Sequence, residues 1–476
     1  MRVILSFFYS CILLFSVTTL HAQLRLPSFF SDNMVLQRDT VTKFWGWAKA
    51  GSKVKVKASW LSDTLEAVTT GEAAWSVALP TSKAGGPYTL TVLSGAQKLE
   101  LKNLLMGEVW ICSGQSNMQW NSTNDLKEMK DRLPNIANSK IRLLNVSNIA
   151  SAFPQDDLRN SWQVCDPVSA ETFSAIGYFF AEKLNQELDV PIGIINSSWG
   201  GTCAEVWTPE QVVLQDWTLQ EASLLKKTAP RKPNLPGRAW NSMVRPIVGY
   251  AVAGVLWYQG EDNVVSWSSY EKLFSAMISA WREEWKDPFP FYFAQIAPYS
   301  YNNKDLPRAA YLREAQVHTA LHHENVYMVP TSDLVPDVKN IHPTRKKEVA
   351  ERFANIALAK NYGLQRAQVL APIYKNHVIE GNKILIDFYH MAQDELVSPS
   401  GKQIPHLMIA GADKVFHQAD FKIKGSQLQV FSKYVPKPVA VRYAFSETDL
   451  TDLKATNGLP VSLFRTDDWL QFTEAQ

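Results

Sequence analysis

An apolar run, Leu104–Ile111, leads into Ile111-Cys-Ser-Gly-Gln-Ser-Asn-Met, which places Ser116 just beyond it. A serine on a sharp turn at the end of a buried strand is how an α/β sheet exposes a nucleophile. The N–H groups of such a turn can also hold a developing oxyanion. The spacing differs from Gly-x-Ser-x-Gly, so the hydrolase class indicated is not that of the α/β-hydrolases. The same residue types also suit a buried turn serine that only bonds its neighbours. Three more polar segments stand out: Asn196-Ser-Ser-Trp-Gly-Gly-Thr, Trp257-Tyr-Gln-Gly-Glu, and Ile341-His-Pro followed by basic residues 345–347. Each is weak alone. Each also falls at or soon after a strand-like run, and that shared placement makes them a set.

The elements that must position them follow from the hydrophobic periodicity. Leu24–Lys102 reads as β, with short runs at Met34-Val-Leu-Gln, Phe44-Trp-Gly-Trp and Val54–Ser59 between turn signals at Ala50-Gly51 and Gly85-Gly86-Pro87. Lys53, Lys55 and Lys57 alternate along one of these runs as its wet face. From Leu104 to about Gly363, strands predicted at 105–112, 141–147, 192–197, 251–258, 290–296 and 325–332 alternate with helices predicted at 172–188, 267–285, 307–321 and 344–361. That alternation predicts an α/β fold with a parallel sheet covered on both faces. In such sheets the site lies at the carboxyl ends of the strands. From about Ala371 to Gln476 the pattern is β again, a second sheet packed on the catalytic unit, with or without the N-terminal strands. Pro230–Pro236 reads as a surface loop, with Arg231 and Lys232 on a solvated face.

Composition sets the outer bounds. The 476 residues exceed one typical domain, and 46% hydrophobic with 20% charged residues fits a globular protein. A formal net charge of +2 gives no case for a nucleic-acid partner. Arg2 followed by the mostly apolar Val3–Val17 and by His21-Ala22-Gln23 has the layout of a cleavable signal peptide and is too short for a membrane span. The expected mature chain starts near Gln23 and is secreted or periplasmic, with no later stretch long and apolar enough to cross a membrane. Cys112, Cys165 and Cys203 remain after cleavage, so one disulfide at most can form, and Cys112 reads as core beneath Ser116. No Cys/His spacing matches a zinc site, and no metal or organic cofactor is implied. Nothing in the sequence fixes the oligomeric state.

Taken together the four segments resemble the SGNH hydrolase superfamily and, within it, the sialate O-acetylesterase family, with other carbohydrate acetyl esterases next. The resemblance covers nearly the whole mature chain. It rests on Asp32-Asn-Met-Val-Leu-Gln-Arg, Trp45-Gly-Trp, Glu108–Trp120, Trp240-Asn-Ser-Met-Val-Arg-Pro, Trp257-Tyr-Gln-Gly-Glu, Arg313-Glu-Ala-Gln, Ile341-His-Pro-Thr-Arg-Lys, Val441-Arg-Tyr-Ala and Gly458-Leu-Pro-Val. It implies an SGNH-type three-layer α/β/α parallel sheet with flanking β regions. The expected organisation is a signal peptide over 1–22, an N-terminal β region over 23–103, a catalytic domain over 104–365 and a C-terminal β region over 366–476.

By that resemblance Ser116 is the nucleophile and His342 its general base, with Pro343 starting the helix that follows. The oxyanion donors would be the Ser116 N–H, Gly200 or preferably Gly201, and the Gln259 side chain, which stands where the superfamily has asparagine. A buried amide bracing its loop is the alternative for Gln259. The superfamily often has an aspartate three residues before the histidine. Here Lys339 occupies that place and Asn340 follows, which leaves Asp337, Asp333 or a backbone carbonyl to orient His342. Glu261 would brace its loop or bond a sugar hydroxyl, and Trp120 and Trp199 would wall the pocket. The implied activity is removal of acetyl groups from carbohydrate, chiefly O-acetylated sialic acids. Acetyl-xylan is the alternative substrate, and an inactive carbohydrate-binding relative is the alternative class. An arginine in the pocket would favour a sialic acid's carboxylate, with Arg238, Arg245 and Arg313 available.

Overall fold

A computed structural model describes residues 23–226, 232–302, 306–364 and 368–470, and the backbone of 473–474. The expected leader, 1–22, and Arg231 lie outside the described residues. The core of the fold is one parallel sheet. Its strands are β1 (Gln97–Gly114), β2 (Asn138–Asn145), β3 (Ile192–Ser198), β4 (Gly254–Tyr258), β5 (Phe291–Ala294) and β6 (Val326–Val329), in the spatial order β6-β5-β4-β1-β3-β2. Every neighbouring pair on this path is parallel. A short antiparallel strand, Gln163–Cys165, closes the β2 edge. From β1 the chain builds outward on one side through β3 and β2, and on the other through β4 to β6. The crevice beyond the carboxyl end of β1 is therefore the switch point where α/β sheets place their sites.

The strands anticipated from the sequence form, with ends shifted by a few residues. So do four long helices, Ala175–Leu188, Tyr270–Trp285, Arg308–His322 and Lys346–Lys360. Alternation along the strands sorts the side chains onto two faces. Trp110, Cys112, Ile194, Leu256 and Tyr258 pack with Phe179, Phe180, Phe353 and Ala357. Val109, Ile111, Ile195, Val255 and Trp257 pack on the opposite face with Phe274, Met277 and Trp281. The result is the expected three-layer α/β/α arrangement.

β1 is 18 residues long and joins two regions. Its first half pairs antiparallel with Gly85–Ser94 of the N-terminal β region, and its second half pairs parallel with β3 and β4. The boundary expected between residues 103 and 104 thus falls inside one strand, beside Asn103 in the left-handed conformation (φ 57°). Among the described residues the C-terminal region forms its own sheets and shares none with the N-terminal strands. It docks on helix Arg308–His322, whose Ala310 and Tyr311 enter its core. Arg465 clamps Glu314 there with bonds of 2.7 and 2.9 Å. The boundary expected at 365/366 lies outside the described residues. Cys112, Cys165 and Cys203 are all buried and unbridged. No helix among the described residues is long and apolar enough to cross a membrane.

β1 ends on Gly114 at φ 125°. A Cβ there would lie 2.3 Å from the carbonyl oxygen of Tyr258, so a glycine is needed both for the dihedral and for the close approach to β4. Gly95, at φ 58° with open space around it, separates the two effects. Gly114→Ala is expected to lower stability by about 3 kcal/mol or more and Gly95→Ala by about 1 kcal/mol, read as urea-unfolding midpoints. Equal midpoints for the two variants would contradict this account.

Candidate active site

The turn after Gly114 is built from backbone. Gln115 N–H donates to Tyr258 O at 3.0 Å, and Met118 and Gln119 N–H both return to Gln115 O. Ser116 opens the short helical turn Ser116–Gln119, so its own N–H precedes the first intrahelical bonds. His342 comes from the loop after β6, where its Nε2 lies 2.9 Å from Ser116 Oγ. The helix expected to begin at Pro343 instead begins at Lys346, and Pro343 is buried in the loop before it.

Three contacts fix the loop carrying His342. The His342 N–H donates to Asn340 Oδ1 at 2.9 Å, Asn117 Nδ2 donates to Ile341 O at 3.1 Å, and the Trp120 ring stacks on the imidazole at 4.3 Å and 24°. Among the described residues no carboxylate orients the ring. Asp333 is taken by Arg352 through bonds of 2.7 and 2.8 Å, and Asp337 accepts the Lys339 N–H. Among the described residues nothing hydrogen-bonds His342 Nδ1. Neither aspartate anticipated from the sequence acts on the histidine, because each is held by a closer partner.

Behind the pair lies a buried polar chain. Asn117 Oδ1 accepts from Lys346 Nζ at 2.6 Å, and Asn117 Nδ2 also donates to Glu261 Oε1. Lys346 is 1% exposed and Glu261 6%. Burial lowers the Lys346 ammonium to about 7 against the pull of Glu261 and Glu128, and burial raises the Glu261 carboxyl. His342 is driven down to about 4, by burial first and by the Lys346 charge second. Its imidazole is therefore neutral at neutral pH, the form that accepts a proton.

A cavity of about 890 Å³ opens over Ser116 and His342. Trp120 lines it, as do Gln115, Gln119, Glu261 and Asp262, and Asn145 and Asn196 from the ends of β2 and β3. Gly200 and Gly201 line it too, with different surroundings. A Cβ on Gly200 would sit 3.4 Å from Ser116 Cβ, whereas one on Gly201 would face Lys232 Nζ at 3.1 Å. The Gly200 N–H donates to Gln119 Oε1 at 2.7 Å. Lys232, expected on a solvated face, instead lies beside Gly201 and pairs with Asp262 at 3.4 Å.

Two expected site residues lie elsewhere. Gln259 is fully buried, and its Nε2 donates to Asn263 Oδ1 at 2.7 Å and to Thr202 O at 3.2 Å. Its amide is spent bracing the loop, so it offers no donor to the cavity. Trp199 continues β3 through its N–H to Gly114 O, and its side chain packs on the core rather than on the cavity wall. Two further members of the constellation are not legible as such in the sequence, Asn117 beside the serine and Lys346 after the histidine. Their signal is polarity at positions one residue from Ser116 and four from His342, which sequence alone does not separate from surface.

A family model described as "Carbohydrate esterase, sialic acid-specific acetylesterase" matches residues 106–359, the span from β1 through helix Lys346–Lys360. The chain is 28% identical to the human sialate O-acetylesterase over 414 residues, covering 79% of each chain. It is 27% identical to the mouse sialate O-acetylesterase over 412 residues, covering 74% of this chain and 76% of the other. A solved structure of a carbohydrate acetylesterase from Xanthomonas citri superposes with a TM-score of 0.85 at 33% identity, covering 94% of this chain and all of the other. With its parallel sheet, its strand-end serine and that match over more than half its length, the chain belongs to the carbohydrate esterase family of sialic acid-specific acetylesterases and is a carboxylic-ester hydrolase.

Proposed function

We propose that this protein is exported and removes O-acetyl groups from sialic acids through an acetyl-enzyme on Ser116. The 2.9 Å approach of His342 Nε2 to Ser116 Oγ carries the reading. As Oγ attacks the acetyl carbonyl, its proton passes to Nε2. The tetrahedral adduct collapses, and the departing sugar oxygen takes that proton back. Water then repeats the sequence on the acetyl-enzyme and releases acetate. The Ser116 N–H and the Gly201 N–H are the backbone donors proposed for the developing oxyanion, since the Gly200 N–H is held by Gln119 Oε1. Without an aspartate, Asn117 and Trp120 hold the imidazole, and the Trp120 face favours the imidazolium when it forms. Export rests on the Arg2, Val3–Val17 and Ala22 pattern.

The substrate reading follows the family and the named relatives. One observation favours the second reading, a neutral acetylated polysaccharide such as xylan: among the described residues no Arg or Lys lines the cavity, while Glu261 and Asp262 do. Arg238 lies by Glu210, and Arg313 is buried on the Ser446 carbonyl. Acetate release from O-acetylated sialic acid set against acetylated xylan decides between them, and release from xylan alone would remove the sialate reading.

Ser116→Ala is expected to lower kcat on a chromogenic acetyl ester by at least about a thousandfold; retained turnover would exclude the acyl-enzyme. The pH profile tests His342. A base held at about 4 gives a kcat/KM plateau that extends below the usual imidazole value of 6.5 and falls tenfold per pH unit only beneath about 4. Lys346→Met removes the neighbouring positive charge, so the acid limb is expected to move up towards 6.5. A limb already near 6.5 in the wild type, or one unmoved in the variant, would contradict the assignment.

A further inference from the structure

A second cavity, of about 360 Å³, lies between the N-terminal β region and the segment after Trp240. Its floor is the two-stranded sheet of Val41–Trp47 and Ala74–Pro80. Alternation along Val41–Trp47 turns Lys43, Trp45 and Trp47 to one face, with Ser76 opposite Trp45. Gly46, between the two tryptophans, has no room for a side chain, since a Cβ there would lie 2.4 Å from Arg25 O and 3.0 Å from the Trp75 ring. The opposite wall is Arg245, Pro246 and Val248, where the π-turn Trp240–Val244 passes into the 3₁₀ turn Arg245–Ile247. The walls are tied by Lys43 N–H to Gly249 O at 3.2 Å and by Ala251 N–H to Thr42 Oγ1 at 3.0 Å. The Trp45-Gly-Trp and Arg245-Pro segments, which take no part in the catalytic cavity, meet here.

Two cations, one carboxylate and the Thr70 and Ser76 hydroxyls line this cavity. Lys43 and Arg245 both line it, and neither forms an ion pair among the described residues. Burial and the Arg245 charge lower the Lys43 ammonium, as expected for two cations placed together without an anion. Trp75 pairs with Gly46 and so turns its indole to the opposite face, where it packs in the core against Phe44. Asp156 is the carboxylate that lines the cavity; it is exposed and pairs with neither cation. The indole rings of Trp45 and Trp47 are half-buried; Lys43 Nζ lies 5.2 Å from the centroid of the first, and the Arg25 guanidinium covers one face of the second at 4.1 Å. Two neighbouring cations suit a carboxylate, and indole faces suit a pyranose ring. The volume is at the lower end of ligand pockets and fits one sugar residue rather than a chain.

We propose that this cavity is a second saccharide site, separate from the catalytic one, which binds a pyranose bearing a carboxylate through Lys43 and Arg245 with its ring against Trp45. It would hold an acidic glycan while Ser116 works on another part of it or on a neighbouring chain. The site does not depend on the esterase chemistry, so binding is measured on the full-length Ser116→Ala protein by calorimetry. The probes are N-acetylneuraminic acid, glucuronic acid, and N-acetylmannosamine as the neutral control. At least one acid is expected to bind about tenfold or more tighter than the control, and to weaken as salt is raised. Lys43→Met and Arg245→Met are each expected to weaken binding about tenfold or more, with melting temperature and aryl-acetate turnover, measured in the active protein, unchanged. Lys43 is exposed, so its variant stays informative should Arg245→Met fail to fold. Equal binding of the neutral sugar, no binding of either acid, or undiminished binding by Lys43→Met would overturn the proposal.

Discussion

The contact on which the site depends is the approach of Gly114 to Tyr258 O, where β1 stops against β4. A strand that ran two residues further would carry Ser116 into the sheet. The positive φ of Gly114 breaks the strand at the switch point and lets Gln115 N–H bond the Tyr258 carbonyl, which starts the helical turn at Ser116. That single turn brings the serine hydroxyl, its own backbone N–H and the Gly200–Gly201 loop to one side of the sheet edge. The long β1 makes this rigid, since its other half is fixed in the N-terminal β region.

Around the turn, burial does the electrostatic work. His342 has no anionic partner and a buried cation nearby, and both features keep it neutral. Asn117 occupies the centre, one side of its amide taken by Lys346 and the other by Glu261 and the Ile341 carbonyl. Lys346 and one oxygen of Glu261 are thereby linked through a neutral amide rather than by direct contact. The geometry of His342 is thus set by a hydrogen-bonded loop and a stacked indole in place of a carboxylate.

Legibility in the sequence tracked the range of the interactions concerned. The strands of the parallel sheet and the helices between them were readable because periodicity is local and repeats over many residues. The serine was readable because strand, glycine and turn are adjacent in the chain. Gln259 was misplaced because an amide's role depends on what its hydrogens meet, and Thr202 and Asn263 are brought to it only by packing. Trp199 was misplaced for a related reason: the direction of one indole after a strand end depends on the cavity it could have faced. Asp333 and Asp337 do not partner His342, because sequence distance does not reveal the groups that hold them, Arg352 for the first and the Lys339 N–H for the second.

The sequence by itself determined the layering, the strand that carries Ser116 and the loop that carries His342, because hydrophobic period and glycine stereochemistry act within a few residues. The tertiary structure decided which groups meet: that Asn117 links Lys346 to Glu261, that Trp120 stacks on the imidazole, and that Lys43 and Arg245 come together beside Trp45. Those outcomes join residues up to 229 positions apart, as Asn117 and Lys346 are. No local rule couples side chains at that separation; only the assembled sheet sets their distances.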